Sequence, residues 1–169
     1  MDVLFVNPGN SKSIYQSLAQ SVTAIEPPTW ALLLAEAVRA KGFTPGILDV
    51  NAENLEIPEA VERVRSIKPK LICFVVYGQN VNAGTANMAG AIDLANYVKL
   101  KNKNFIISFL GSHMQAVPAE TLKNEKNVDF VFTNEGVYSL INIINLKNFK
   151  TQSYKVLRYT GILLSFGII

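Results

Sequence analysis

His113 and Glu135 are the two residues whose types could perform acid–base chemistry at one site. His113 follows an apolar run that ends at Gly111, and Glu135 follows another apolar run, so both lie in polar turns after predicted strands. An imidazole and a carboxylate placed close together can act as general base and general acid. A lone histidine is also common in hydrogen-bonded surface loops, and a glutamate before a helix also stabilises the helix dipole.

The sequence lacks the motifs of several other chemistries. No serine or cysteine lies in a nucleophile elbow, and no glycine-rich phosphate loop ends in Lys-Ser/Thr. Cys73 lies inside an apolar run, which is typical of inert packing. Asp49 ends a predicted strand, where an acidic residue can hold a ribose. The first turn, Asn7-Pro8-Gly9-Asn10, lacks the Gly-x-Gly-x-x-Gly pattern, so dinucleotide binding is not expected.

The loops after the predicted strands are rich in small, uncharged groups that form hydrogen bonds. In and after the loops of strands three, four and five these are Gly78, Gln79, Asn80, Asn82, Gly84, Thr85, Gly111, Ser112, Gln115, Thr133 and Asn134. Amide and hydroxyl side chains donate and accept hydrogen bonds without carrying a charge. These loops therefore suit the binding of a large, amide-rich ligand better than they suit proton transfer.

The composition indicates one globular domain and excludes several classes of partner. The chain has 169 residues, 17% of them charged, and its net charge of +3 comes from scattered lysines, so nucleic acid is not expected. A single cysteine allows no disulfide within the chain, which favours a reducing cytoplasm. The sequence contains no cluster of cysteine and histidine residues, so a zinc or iron–sulfur site made by this chain alone is not expected. No apolar run reaches the roughly 18–20 residues of a membrane span.

The hydrophobic pattern predicts five strands that alternate with helices. The strands are predicted at residues 3–6, 43–50, 71–77, 105–110 and 128–133. The helices are predicted at residues 30–41, 58–68, 83–99, 118–123 and 137–146, after a long loop at residues 10–26. In the first helix, Trp30, Leu33, Leu34 and Ala37 keep a helical period and are predicted to face the core.

This alternation predicts an α/β fold with a doubly wound, five-stranded parallel sheet. Five strands fit the flavodoxin-like (Rossmann-like) order 2-1-3-4-5, in which ligands bind beyond the carboxyl ends of the strands, near the switch point between strands one and three. Residues 1–146 form this predicted domain. Residues 147–169 are an apolar C-terminal tail that could be an extra edge strand or the cut end of a longer chain.

Five segments keep the order and spacing of a known pattern from residue 1 to about residue 146. They are Val3-Leu-Phe-Val-Asn-Pro8, Pro27-Pro28 with a Leu/Ala helix ending Lys41-Gly42-Phe43, Ile47-Leu-Asp-Val-Asn-Ala-Glu-Asn-Leu55, Gly111-Ser-His-Met-Gln-Ala-Val-Pro118-Ala-Glu-Thr-Leu122 and Val128-Asp-Phe-Val-Phe-Thr-Asn-Glu-Gly136. Together they resemble the N-terminal cobalamin-binding domain of class B radical S-adenosylmethionine (SAM) enzymes.

The resemblance implies that cobalamin, vitamin B12, packs its corrin ring against the carboxyl-end loops. In such enzymes the cobalamin carries a methyl group for transfer or assists a radical reaction. The matching cofactor-binding positions are Asn7, Pro8, Tyr77, Gly78, Gln79, Asn80, Gly111, Ser112, His113, Asn134, Glu135 and Gly136. The Asp-x-His-x-x-Gly motif that supplies a histidine to cobalt in mutase-type domains is absent, so no such cobalt ligand is expected.

Two stretches depart from the family pattern. Leu110 and Ser112 replace the first glycine and the proline of Gly-Gly-Pro-His. Asn134 and Val137 replace the first glycine and the last glutamate of Gly-Glu-Gly-Glu. A chain with one cysteine also cannot supply the Cys-x-x-x-Cys-x-x-Cys of the radical domain, so no iron–sulfur cluster is expected in it.

The sequence therefore predicts a cobalamin-binding module that is not catalytic alone. It would be related to the N-terminal domain of a radical SAM methyltransferase or cyclase, as a fragment, a truncated product or a separate domain. Its partners would be cobalamin and a radical SAM domain or another protein. Two alternatives stay open, which are a cofactor-free interaction or regulatory domain of the same fold and a small enzyme using His113 and Glu135.

Overall fold

A five-stranded parallel sheet forms the centre of the molecule. The structure is a computed structural model, and it describes residues 1–9, 27–77 and 81–146. The side chains of residues 81–83, 85 and 86 are outside this description. The predicted loop at residues 10–26, the predicted tail at residues 147–169 and the candidate site residues Gly78, Gln79 and Asn80 also lie outside the described residues.

Strands and helices alternate along the described chain. The strands are β1 (Val3–Asn7), β2 (Pro45–Asp49), β3 (Leu71–Val76), β4 (Ile107–Gly111) and β5 (Phe130–Phe132). The described helices are α1 (Thr29–Ala40), α2 (Ile57–Ile67), α3 (Val81–Lys101), α4 (Ser112–Ala116), α5 (Pro118–Asn124) and α6 (Val137–Asn145). Among the described residues, no helix combines the length and the apolar character needed to cross a bilayer.

The strand order is β2-β1-β3-β4-β5, which confirms the predicted flavodoxin-like order. All five predicted strands are present, although β2 and β5 are shorter than predicted. The single-turn helix α4 was not predicted, because its sequence Ser-His-Met-Gln-Ala reads as a polar turn. Met114 of α4 is fully buried, so tertiary packing holds this turn in a helical form that its composition does not demand.

Helices cover both faces of the sheet, so the central strands are apolar on both sides. On one face, which we call the α2/α3 face, the residues of the central strands β1, β3 and β4 that join the core are Leu4, Val6, Ile72, Phe74, Val76, Ile107 and Phe109. On the other, which we call the α1/α6 face, they are Val3, Phe5, Leu71, Cys73, Val75 and Leu110. Both faces of β3 are therefore buried along its whole length.

Helix α1 buries Leu34 as predicted, but it leaves Trp30 and Leu33 exposed, although both were predicted to face the core. Its buried residues are Ala31, Leu34 and Val38, whereas Trp30 is 41% exposed and Leu33 is 57% exposed. Apolar residues follow both the 30-33-37 and the 31-34-38 spacing, so helical periodicity is compatible with either side. The packing against the sheet selects the second set and leaves Trp30 and Leu33 in contact with solvent.

Cys73 is expected to resist thiol reagents while the protein is folded. It lies in the middle of β3, fully buried, and desolvation raises the pKa of its thiol to about 12, since burial penalises the thiolate. Ellman's reagent should therefore leave the native protein unlabelled at pH 8 and label one thiol per chain in denaturant. Rapid labelling of the native protein would contradict a buried β3.

Candidate functional site

The carboxyl ends of the five strands meet at one edge of the sheet, which we call the carboxyl edge. The strands end there at Asn7, Asp49, Val76, Gly111 and Phe132. The register pairs Asn7 with Asp49 and Val76 with Gly111, so these strand ends are level. The described candidate residues are either the last residues of these strands or lie one to four positions after them. The edge next to the β1–β3 switch point is where such folds bind ligands.

A buried carboxylate joins the ends of β1 and β2. Asn7 Nδ2 donates a hydrogen bond to Asp49 Oδ1 at 3.0 Å, and the backbone N–H of Ala52 donates to the same oxygen at 3.0 Å. Asp49 is only 9% exposed, and Pro8 beside it is buried. The other oxygen, Asp49 Oδ2, is buried and has no hydrogen-bond partner in the described part of the chain. The site therefore contains an acceptor that lacks a donor.

Gly111 allows β3 and β4 to remain paired at their carboxyl ends. Its φ angle is +151°, and a Cβ atom at this position would lie 2.1 Å from the carbonyl oxygen of Val76. Only glycine, which has no Cβ atom, accepts both this positive φ angle and this close approach of the neighbouring backbone. Ser112 and His113 follow directly as the first two residues of α4, and both are partly buried. Gly111 is therefore needed mainly for the pairing of β3 with β4. The polar side chains at this strand end belong to Ser112 and His113.

A left-handed turn connects β5 to α6. Asn134 adopts φ +54° and Gly136 adopts φ +66°, with the exposed Glu135 between them. Asparagine and glycine are the residues that accept this conformation most readily. Gly136 precedes the first residue of α6, and a Cβ there would lie 2.1 Å from Leu110 Cδ1. The turn therefore places Asn134 and Glu135 at the carboxyl edge while Gly136 packs on the end of β4.

Tyr77 connects three parts of the carboxyl edge. Its hydroxyl donates a hydrogen bond to the carbonyl oxygen of Asn134 at 3.2 Å, and its own carbonyl oxygen accepts one from Asn87 Nδ2 at 3.2 Å. Its ring stacks on Trp30 of α1, with ring centroids 4.6 Å apart and an interplanar angle of 24°. Burial, and then the negative charge of Glu135, raise the pKa of Tyr77, so the phenol stays protonated and able to donate.

His113 and Glu135 belong to different sides of this edge. The helix that contains His113 packs through Met114 on the α2/α3 face. Glu135 acts electrostatically on Tyr77, which packs on the α1/α6 face. Within the described residues, no hydrogen bond or ion pair joins His113 to Glu135. The geometry therefore gives the candidate acid–base pair no contact through which to act.

Three residues of this edge were missed or given another role by the sequence reasoning. Trp30 was assigned to the core, Asn87 was not singled out, and Asp49 was considered only as a ribose ligand. The signal for Trp30 is its place in the first turn of a helix that follows β1, since that turn lies at the carboxyl edge whichever side of the helix is buried. No sequence pattern marks the bond from Asn87 to Tyr77.

Most of the described polar side chains at the carboxyl edge are uncharged, and the carboxylates of Asp49 and Glu135 are the exceptions. Asn7, Ser112 and Asn134 offer amide and hydroxyl groups, and Glu135 is exposed to solvent. No group of three His, Cys, Asp or Glu residues that could hold a metal ion occurs among the described residues. Hydrogen-bonding groups at separate strand ends suit a ligand broad enough to touch several of them at once.

Comparison with known proteins identifies relatives of this fold. The family model of the B12 binding domain matches residues 15–144. No curated protein matches the chain. One similar solved structure is the radical S-adenosylmethionine methyltransferase TsrM from Kitasatospora setae, determined with tryptophan substrate and a SAM analog. It is 14% identical with a TM-score of 0.60, over 84% of this chain.

A second similar structure is the cobalamin-dependent S-adenosylmethionine radical enzyme OxsB, determined with aqua-cobalamin and S-adenosylmethionine. It is 18% identical with a TM-score of 0.57, over 85% of this chain. At these identities the likeness shows a shared fold. The matched part is 25% of the TsrM chain and 18% of the OxsB chain, so this chain spans a quarter or less of either protein.

Proposed function

Because this chain belongs to the B12-binding domain family, we propose that it binds cobalamin at the carboxyl edge of its sheet and does not catalyse a reaction alone. The observation that carries the proposal is the chemistry of that edge. Uncharged hydrogen-bonding groups lie at separate strand ends beside the switch point, as a broad, amide-rich ligand requires.

Cobalamin fits this set of groups. Its corrin ring carries primary amides around its periphery, and these amides both donate and accept hydrogen bonds. Asn7, Ser112 and Asn134 can pair with such amides, and the unpartnered Asp49 Oδ2 is an acceptor for an amide N–H. We extend the site to Pro8, Tyr77, Gly111, His113, Glu135 and Gly136 at the same edge. We also extend it to Gly78, Gln79 and Asn80, which follow Tyr77 in the sequence.

The chemistry of the bound group would belong to the cofactor. Cobalamin, when bound, supplies a cobalt centre for methyl transfer or for radical reactions, while this chain positions and shields it. We assign no cobalt ligand to His113, because its neighbours differ from Asp-x-His-x-x-Gly. We also assign no iron–sulfur cluster to a chain with one cysteine.

The parent reaction would be that of a radical SAM methyltransferase or cyclase. Two radical SAM enzymes share this fold over a quarter or less of their own length, which supports a module that works beside a radical domain. Residues 1–146 would form the module. We place it in the cytoplasm, since a single buried thiol suits a reducing compartment.

Blocking the edge should weaken the binding of hydroxocobalamin. Ser112 starts α4 at the carboxyl edge, so Ser112→Trp should raise the dissociation constant at least tenfold by filling the space above β4. Ser66→Trp makes the same change near the end of α2, at the opposite edge of the sheet, and should leave the constant within about twofold. Absorbance and calorimetric titrations measure both variants beside the unaltered protein.

Two results would contradict the proposal. Absence of saturable binding at millimolar hydroxocobalamin would show that the fold has lost its cofactor, and would favour the cofactor-free interaction domain. An equal effect of the two tryptophan substitutions would place the ligand away from the carboxyl edge. Circular dichroism of both variants separates either result from misfolding.

A further inference from the structure

The edge of the sheet opposite the carboxyl edge, which we call the amino edge, brings together lysines that are scattered in the sequence. In a parallel sheet each helix returns the chain to this edge before the next strand begins, so the turns before neighbouring strands lie side by side. Residues 100–104 precede β4 and residues 123–128 precede β5, and β4 pairs with β5. The exposed lysines of these two turns are Lys101, Lys103, Lys123 and Lys126.

Contacts between side chains join the two turns into one surface. Asn127 Nδ2 donates a hydrogen bond to Asn96 Oδ1 at 2.8 Å, which connects the second turn to α3. Near the end of the same helix, Lys99 Nζ contacts Asp129 Oδ2 at 2.7 Å. We call this surface, which consists of residues 97–104 and 123–128, the basic corner.

The basic corner carries an excess of positive charge. Glu125 is the one acidic residue in its two segments, and none of its four exposed lysines forms an ion pair within the described part of the chain. Lys101 and Lys123 lie in the last turns of α3 and α5, where a cation also stabilises the helix dipole. Lys126 Nζ donates to the carbonyl oxygen of Lys123. Lys103 lies beyond the end of α3, so the helix ends do not account for the whole cluster.

Two apolar side chains are exposed in the same corner. Leu100 is 73% exposed and Tyr97 is 50% exposed, both near the end of α3. Leu100 lies one helical turn beyond Asn96, on the side of α3 that meets the second turn. Leucine and tyrosine beside lysines are typical of surfaces that lie in the headgroup region of a bilayer, because the apolar groups leave water while the ammonium groups stay at the phosphates.

The residues that follow α6 have the same composition. Helix α6 ends at Asn145, and like the other helices it leads back to the amino edge. Residues 147–169 contain four basic residues and no acidic residue, and they end in Ile162-Leu-Leu-Ser-Phe-Gly-Ile-Ile169. A nucleic acid would use the lysines but not the apolar residues, and phosphate recognition in nucleic acids favours arginine. An anionic lipid surface uses both kinds of residue.

We propose that the basic corner binds the surface of a bilayer that contains anionic phospholipids. The four lysines lie at the headgroup phosphates, and Leu100 enters the boundary between headgroups and acyl chains. The chain lies on the membrane without spanning it. Because the two edges of the sheet are opposite, the carboxyl edge then faces away from the bilayer and stays open. This inference does not depend on cobalamin binding.

The test is sedimentation of the full chain with vesicles made of equal parts phosphatidylglycerol and phosphatidylcholine. Binding should be at least about tenfold weaker to phosphatidylcholine alone, and sodium chloride at about 0.5 M should release the protein by screening. Lys101→Gln/Lys103→Gln should lower the partition coefficient about tenfold or more, since each lysine near an anionic surface contributes about fivefold. Leu100→Asn should lower it about threefold or more by removing the apolar contact.

A matched control is Arg39→Gln/Arg63→Gln, which removes the same two charges from α1 and α2, where each arginine pairs with a glutamate. It should leave the partition coefficient within about twofold. Circular dichroism shows whether each variant is folded.

Four results would overturn the proposal. They are absence of binding to the mixed vesicles, equal binding to neutral vesicles, unchanged binding of the lysine or the Leu100 variant, and an equal effect of the arginine control. Binding of a DNA or RNA oligonucleotide that the lysine variant weakens, without binding to vesicles, would assign the basic corner to nucleic acid instead. None of these results bears on the carboxyl edge, where hydroxocobalamin titration tests the proposed function separately.

Discussion

Replacing Gly111 with alanine is expected to lower the free energy of unfolding by about 4 kcal/mol or more, enough to unfold many domains of this size. The added Cβ would lie 2.1 Å from the carbonyl oxygen of Val76, which is backbone and cannot move without opening the β3–β4 pairing. The φ angle of +151° adds strain for any side chain. Urea denaturation followed by circular dichroism measures the loss.

Gly42→Ala is the matched control for this prediction. Gly42 also has a positive φ, +85°, but a Cβ there would meet nothing within 4 Å. It should therefore cost only the strain of the backbone, about 1–2 kcal/mol. Similar losses for the two variants would mean that the contact with Val76 is not decisive. A substitution at Gly111 therefore measures the stability of the β3–β4 pairing. Ser112→Trp is the better test of contact with a ligand.

Asp129→Ala is expected to lower the free energy of unfolding by about 3 kcal/mol. Asp129 Oδ2 accepts hydrogen bonds from Lys99 Nζ at 2.7 Å and from the backbone N–H of Ile107 at 2.8 Å. The Lys99 side chain is only 12% exposed, so removal of the carboxylate leaves a mostly buried ammonium group and a backbone N–H without their acceptor. Thermal or urea denaturation measures the change.

Glu62→Ala supplies the comparison, since Glu62 pairs with Arg65 on the exposed side of α2. An exposed pair contributes about 1 kcal/mol or less, so this variant should be nearly neutral. The double variant Lys99→Met/Asp129→Ala should regain part of the stability, because it removes the uncompensated charge. An effect of Asp129→Ala no larger than that of Glu62→Ala would show that the Lys99 pair is effectively solvated. Cobalamin binding should be unchanged, since this pair lies at the amino edge of the sheet.

The class of the fold and its strand order follow from local signals in the amino-acid sequence. Continuous apolar runs mark strands that are buried on both faces, and proline and glycine mark where helices begin and end. These signals are local, so they can be recognised without knowledge of the packing. The alternation of strands and helices is compatible with few sheet topologies. The five spaced segments indicate the B12-binding domain family, and the family match over residues 15–144 confirms it.

The sequence also predicted that the candidate residues would lie at the carboxyl edge of the sheet. Asn7, Gly111 and Asn134 lie at or just after the carboxyl ends of their strands, as predicted. Parallel strands bring such positions together whatever their side chains, so the edge follows from the topology alone. Which of these residues contact a ligand stays a prediction.

The contacts between side chains that are distant in the sequence become visible only in the folded protein. Asn7 and Asp49 are 42 residues apart, and Tyr77 and Asn134 are 57 apart, and no local pattern encodes either contact. The same holds for Trp30, because two sides of α1 satisfy the helical period and only packing against the sheet leaves the indole at the surface beside Tyr77. Contacts between residues that are distant in the sequence depend on strand order, strand register and the rotation of each helix about its axis. The apolar pattern of α1 is compatible with two such rotations, so it does not determine which side faces the sheet.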